Sequence, residues 1–179
     1  MSENSRKMTD DAEVKSSIYH RISVRKYEDR PVETEKIREI LRAGMQAPSA
    51  CNQQPWEFYV VTDPEKIKAL AAASPFAGCA AGAKTVIVPV YRTTGLRCPE
   101  FAQIDLSIAQ ENMWIRTDEL GLGGVWLAIA PSEDRMAKVR KVLDLPENLE
   151  PFSLFPVGYP AESRKQENRF HEDRIHWVG

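Results

Sequence analysis

Residues 100–130 read EFAQIDLSIAQENMWIRTDELGLGGVWLAIA, and this stretch decides the fold class. From Glu100 to Leu120, Phe101, Ile104, Ile108 and Ile115 recur at helical spacing, which predicts one long helix with that stripe buried. Asn112 falls on the same stripe, four residues after Ile108 and three before Ile115. A buried amide is costly unless its hydrogen bonds are met, so Asn112 is expected to have a partner. Gly121 stops the helix, and Gly124 to Ala130 reads as a strand. The glycine cluster thus follows a long helix instead of a first strand. Clean βαβ alternation with a Gly-rich first turn is missing, which argues against a Rossmann fold.

Working outward, a helix is predicted to start near Asp10 or Asp11, with Val14 and Ile18 on one face, after a frayed tail over residues 1–10. A second begins at Glu33–Thr34–Glu35, where acids suit the exposed N–H groups of a helix start. Its apolar stripe is Ile37, Ile40, Leu41 and Met45, and it ends before Pro48. Trp56 to Thr62, WEFYVVT, is aromatic and β-branched and reads as a strand. Asp63-Pro64 then supplies an N-cap and a first-turn proline for a short helix through Leu70 and Ala73. Thr85 to Tyr91 reads as a strand whose Pro89 removes a ladder donor, predicting an edge or a bulge. Ser132 caps a helix carrying Met136, Val139, Val142 and Leu143. Phe152 to Val157 is a further strand, and Gly158-Tyr159-Pro160 turns out of it. The sum is about five helices and four strands in an α+β arrangement. The segment 161–179 is polar and arginine-rich yet closes on Ile175, Trp177 and Val178, which predicts that it docks somewhere.

The chain has 179 residues, 20.3 kDa and no repeat, so it is expected to form a single domain. With 24 Lys and Arg against 26 Asp and Glu, the net charge is −2, and no nucleic-acid binding is expected. The apolar run Val86 to Tyr91 is far too short to span a bilayer, and the N-terminus reads as neither signal nor anchor, so no membrane partner is expected. Cys51, Cys79 and Cys98 are odd in number and miss every zinc spacing, predicting free thiols in a reducing cytoplasm. His20, His171 and His176 show no metal spacing, and no serine sits in a nucleophile elbow. Cys51 has no evident histidine to activate it.

Three segments carry chemical signal. In Arg21-Ile22-Ser23-Val24-Arg25, alternate residues of an extended chain point the same way, so two guanidinium groups and a hydroxyl would face one side. That set suits a phosphate or another anion; the competing reading is a solvated charge run. Ala47 to Trp56, APSACNQQPW, packs uncharged donors and acceptors between two prolines, and suits a polyol or the edge of a heterocycle as well as it suits an ordinary turn. Gly121-Leu122-Gly123-Gly124 would let backbone N–H groups approach a flat ligand, or simply stop a helix.

Taken in order, these segments resemble the nitroreductase family of FMN-dependent oxidoreductases. The resemblance runs from Ile18 to Trp177. Its motifs are the Arg21–Arg25 pattern, the Ala47–Trp56 loop, Ile108-Ala109-Gln110-Glu111-Asn112-Met113 followed by Glu119 to Gly123, the Gly158-Tyr159-Pro160 turn, and the ending Arg169 to Trp177. Lys84 stands where the family often has proline, the stretch Tyr91 to Pro99 matches little, and the chain is short for the family.

The resemblance implies a mainly antiparallel central sheet flanked by helices, in an intertwined homodimer with two flavins at its interface. Arg21, Ser23 and Arg25 would bind FMN through its phosphate, ribityl chain and pyrimidine edge. Pro48, Ser49, Ala50 and Asn52 would reach the flavin from the other subunit. Gly123 and Gly124 would lie near the reactive N5, and Arg25 near the N1 edge would offset the negative charge of the reduced ring. Arg169, or else Lys165 or Arg174, would return to the phosphate from a C-terminal extension docked on the partner. The implied reaction takes hydride from NADH or NADPH and passes it to a nitroaromatic, quinone or similar small-molecule acceptor, in a ping-pong sequence. No side chain is then a catalytic acid or nucleophile. The alternatives are a flavin store or sensor without turnover, or a same-fold enzyme of flavin destruction or dehalogenation.

Overall fold

A computed structural model describes residues 16–163 and 166–179. The predicted tail over residues 1–10, the helix start near Asp10 and Lys165 lie outside these residues. In chain order the elements are α1 (Ser17–His20), α2 (Thr34–Met45), β1 (Trp56–Val61), α3 (Pro64–Ala71), β2 (Thr85–Arg92), α4 (Ala102–Glu119), β3 (Gly123–Gly124), β4 (Leu127–Ala128), α5 (Glu133–Leu143), β5 (Leu149–Pro151) and β6 (Ser153–Gly158). The sheet runs β1-β2-β6-β3, with β5 beside β2 and β4 beside β6. Every pairing between these strands is antiparallel, so the class is α+β, as expected.

The sheet is buried on both faces. Strand alternation sends Val86, Val88, Val90 and Leu154 into a core with Ile67, Leu70 and Val139 of α3 and α5. Ile87, Phe155 and Val157 point the other way, onto Ile37, Ile40, Met113 and Trp114 of α2 and α4. At α3 the expected cap forms: the Asp63 side chain accepts from Lys66 N at 2.8 Å, with Pro64 at the first position.

Several expectations are corrected. The buried face of α4 is Ala102, Leu106, Ala109, Met113 and Trp114, with Asp105, Gln110 and Thr117 among them. Phe101, Ile104 and Ile108 stand on the exposed side, Ile104 at 55% exposure. Helical spacing tells which residues share a face, and here both faces are apolar, so spacing could not choose between them. Met45 is likewise exposed. Asn112 does find a partner, donating from Nδ2 to Ala43 O at 3.3 Å and tying α4 to α2.

Strand β2 is not an edge; it has neighbours on both sides. Thr85–Ile87 pair with Phe155–Val157, and Val90–Arg92 pair with Leu149–Pro151. Between these runs, Val88 and Pro89 face three residues, Phe152, Ser153 and Leu154, so a bulge lies opposite the proline. Phe152 N donates to Pro89 O at 2.9 Å, and Phe152 O accepts from Ile129 N and Ala130 N instead of from β2. The predicted strand over Gly124–Ala130 is two short pieces, β3 and β4, both pairing with β6. The segment β5 was not read from the sequence.

Candidate functional site

The segment after α1 is fixed at both ends. Asp118, near the end of α4, accepts from Ser17 Oγ at 2.7 Å and lies 3.0 Å from His20 Nδ1. Val24 N donates to Gly124 O at 3.0 Å, and Ser23 bridges Gly124 in parallel register. The two predicted segments are therefore joined. The glycines make this possible. A Cβ at Gly123 would lie 2.5 Å from Val24 Cγ2, and one at Gly124 would lie 2.7 Å from the Phe155 ring. Their role here is steric, and it adds to the helix stop at Gly121, whose φ is 71°.

Within the segment, the Arg21 guanidinium lies 3.9 Å over the Trp114 ring. Its Nε is 3.2 Å from Glu111 Oε1 but not aligned on it, and is left buried without a hydrogen bond. Arg25 is exposed; its Nη1 makes a 3.4 Å contact to Ser23 O, and its backbone N donates to the Glu162 carboxylate at 2.9 Å. Below it, Tyr27 Oη donates to Val24 O at 2.7 Å. Burial pushes this phenol far above its usual range, and pushes the Cys79 thiol up as well, with the Arg25 charge opposing both shifts. The C-terminal segment closes the frame: Ala161 N donates to Lys26 O at 3.0 Å and Gln166 Nε2 to Arg21 O at 2.7 Å. Beyond it Arg169 and Arg174 are exposed, and their side chains make no hydrogen bond or ion pair with the described residues.

The proline-flanked loop is built on the other end of α4. Asp105, 2% exposed, accepts from Ala50 N at 2.9 Å and from Gln53 Nε2 at 2.7 Å. Gln53 also pairs with the Cys98 backbone, donating to its O at 2.9 Å and accepting from its N at 3.0 Å. Arg92 Nη2 donates to Gln54 O at 2.9 Å, and Ser49 Oγ accepts from Gln54 N at 3.0 Å. These anchors hold Cys51, Asn52 and Gln54 at positive φ, which non-glycine residues adopt at a cost. Asn52 and Cys51 are presented outward, while Pro48 is exposed and Ser49 and Ala50 half-buried.

The structure does not bring this loop to Arg21 within one chain. Asp105 and the Glu111–Trp114 stretch are separated along α4 by roughly 9–14 Å at 1.5 Å rise per residue. A cleft of about 490 Å³ lies beside the first segment, lined by Ile22, Val24, Leu122, Pro160 and Glu162 among others. Ile22 and Val24 alternate with Arg21, Ser23 and Arg25, so this cleft is on the opposite side from the cationic set. Sequence reasoning missed Asp105, Arg92 and Glu162. An acid in a first helical turn reads as dipole compensation, and only Asp105's place beside Ala102, Leu106 and Ala109 marks it as inward-facing. Arg30, although exposed, stacks 3.8 Å over the Tyr159 ring and donates to Glu33 at 2.9 Å. Among the described residues no group of three or more His, Cys, Asp or Glu could hold a metal, and no helix is long and apolar enough to cross a membrane.

An antiparallel sheet between two helical layers, with an arginine–serine–arginine strand pinned to a glycine pair, defines the class. The chain belongs to the nitroreductase family, whose model matches residues 18–159. A relative from Methanothermobacter thermautotrophicus, provisionally named an NADH dehydrogenase/NAD(P)H nitroreductase, is 38% identical over 164 residues, covering 92% of this chain and 86% of that one. A solved structure from Clostridium acetobutylicum, provisionally named an NADH oxidase, superposes with a TM-score of 0.88 at 40% identity, covering 90% of this chain and 98% of that one. An FMN-dependent nitroreductase from Clostridium difficile superposes at 0.85 with 27% identity, covering 92% and 98%.

Proposed function

We propose that the protein is an FMN-dependent NAD(P)H oxidoreductase that reduces nitroaromatics, quinones or related small acceptors. The observation that carries this reading is the buried Arg21 Nε without a hydrogen bond, beside Ser23 and the exposed Arg25. Such a set fits an anionic cofactor: a phosphate oxygen or an electron-rich ring edge would satisfy the orphaned donor. The names of the relatives supply the identity of the anion. Bound there, a flavin would supply two-electron redox chemistry between NAD(P)H and the acceptor, the two substrates using the site in turn.

The chain's own residues bind and orient. Arg21 and Arg25 supply positive charge, and Ser23 a hydroxyl. Gly123 and Gly124 let the segment lie against β3 without displacement. Asp105 holds the Pro48–Asn52 loop in a shape it would not keep alone. Arg169, Lys165 or Arg174 is a further cation for the phosphate.

The active species we propose is a homodimer in which that loop serves the other subunit's flavin. Support comes from the separation of loop and cradle along α4, and from the apolar surface left open by one chain. Ile18, Tyr19, Ile104 and Phe101 are exposed together with the tail residues Phe170 and Trp177, the last at 90%. Association that covers these side chains would remove apolar surface from water.

The purified protein should be yellow, should release FMN and not FAD on heating, and should oxidise NADH or NADPH when a quinone is added. Protein that is colourless and takes up no added FMN would overturn the reading. Tight FMN binding without turnover would replace it with a flavin store or sensor.

A further inference from the structure

The thiols of Cys51 and Cys98 lie 3.1 Å apart, although 47 residues separate them in the chain. A disulfide needs its sulfurs at about 2.05 Å, so closure asks for a movement of only about 1 Å. The approach is held on both sides. Cys51 follows Ala50, whose N–H is tied to the buried Asp105, and Cys98 is gripped by both ends of the Gln53 amide. In the single chain Cys51 is exposed and Cys98 half-buried, so an oxidant can reach the pair before the loop is seated on a flavin. Their contact also holds the Cys98 proton more tightly than in a free thiol. Cys79 is remote from the pair, beside Arg25 and Tyr27.

We propose that Cys51 and Cys98 form a reversible disulfide that ties the Pro48–Asn52 loop to the 93–99 segment, with small-molecule disulfides as the oxidant. The Cys51 thiolate attacks one sulfur of the oxidant; that S–S bond breaks and the first thiol leaves. The Cys98 thiolate then attacks Cys51 Sγ in the mixed disulfide and expels the second thiol. The protein loses two electrons and two protons, and the oxidant gains both as two thiols. In a reducing compartment such a pair cycles with the thiol pool instead of acting as a permanent staple. The consequence for cofactor release rests on the FMN reading above; the disulfide itself does not.

Oxidised glutathione on the purified protein, before FMN is added, is the probe. Peptide mapping should find Cys51 joined to Cys98, with Cys79 still open to alkylation. Oxidation should raise Tm by about 5 °C or more in the wild type, and in neither Cys51→Ser nor Cys98→Ser. In Cys98→Ser the reaction should stop at glutathione on Cys51. Release of FMN should slow about threefold or more on oxidation, because the loop is ordered before it binds. A stable glutathione adduct on wild-type Cys51, or a Cys51–Cys51 link between subunits, overturns the proposal. An FMN release rate unchanged by the disulfide overturns the clamp. Failure of the FMN reading shows separately, as protein that holds no flavin in either redox state while the cross-link and the Tm shift persist.

Discussion

Arg25 presents its charge to solvent while its neighbours Val24 and Tyr27 are packed beneath it. Among the described residues its guanidinium makes only a long contact, to Ser23 O, so its loss should be felt chiefly by the ligand. Arg25→Ala should weaken FMN binding by about 1.5–3 kcal/mol, roughly 10- to 150-fold, with little change in Tm. Arg30 is no fair control, because it stacks on Tyr159 and bonds Glu33. Arg38, exposed on α2, is the better one: Arg38→Ala should leave both quantities within about 0.5 kcal/mol. Titration of each apoprotein with FMN checks the pair. Glu33 offers a prediction in pH. Its carboxyl is lowered from about 4.5 to about 2, chiefly by the Tyr159 hydroxyl 2.6 Å away, then by its own backbone, Arg30 and Lys36. A folded value below the unfolded one adds stability that is present above about 4.5 and is lost as pH falls through about 2. Tyr159→Phe should move the midpoint of a Glu33 carboxyl NMR titration upward, towards the ordinary value. At this scale the arginine pattern was legible because alternation is local. Asp105 was not, because its two hydrogen-bond partners come from a loop more than fifty residues earlier.

Between β3 and the arginine segment, contact is closer than any side chain other than hydrogen would permit. Gly123→Ala places a methyl against Val24, whose branched Cβ cannot swing away, so the segment must shift. The expected cost is about 1–3 kcal/mol of stability. FMN affinity should fall with it, since Ser23 and Arg25 ride on the displaced backbone. Tm and FMN titration of the variant check this; an unchanged Tm would mean the two segments are not packed as described. Elements with strong local signals were legible: the Asp63-Pro64 start of α3, the WEFYVV strand and the Gly121 stop all lie where their residues dictate. What failed was orientation. The side of α4 that is covered depends on which neighbours arrive, and Ala109 and Leu106 won over Ile104 and Ile108 because β1, β2 and α2 pack there. The strand β5 escaped notice because three residues ending in Pro151 carry too little pattern to read.

For the molecule as a whole, the apolar face of α4 that one chain leaves open predicts that folding, association and cofactor binding are coupled. A ligand that binds only the assembled dimer stabilises it by mass action, so Tm should rise with both protein and FMN concentration. Ile104→Glu should abolish this dependence by putting a charge on the open face. A monomer in sedimentation that still binds FMN tightly would contradict the coupling. Pro89 has a consequence of another kind. Before the chain folds, residues 85–91, TVIVPVY, are a β-branched stretch open to pairing between copies, and the proline is the one break in an otherwise continuous β-forming run. It acts as a gatekeeper against strand pairing between unfolded copies, tolerated in a central strand only because the bulge opposite makes no demand for its missing N–H. Pro89→Val, although a better strand former, should therefore refold with a yield that falls as protein concentration rises, and light scattering during dilution from denaturant should show the loss as aggregate.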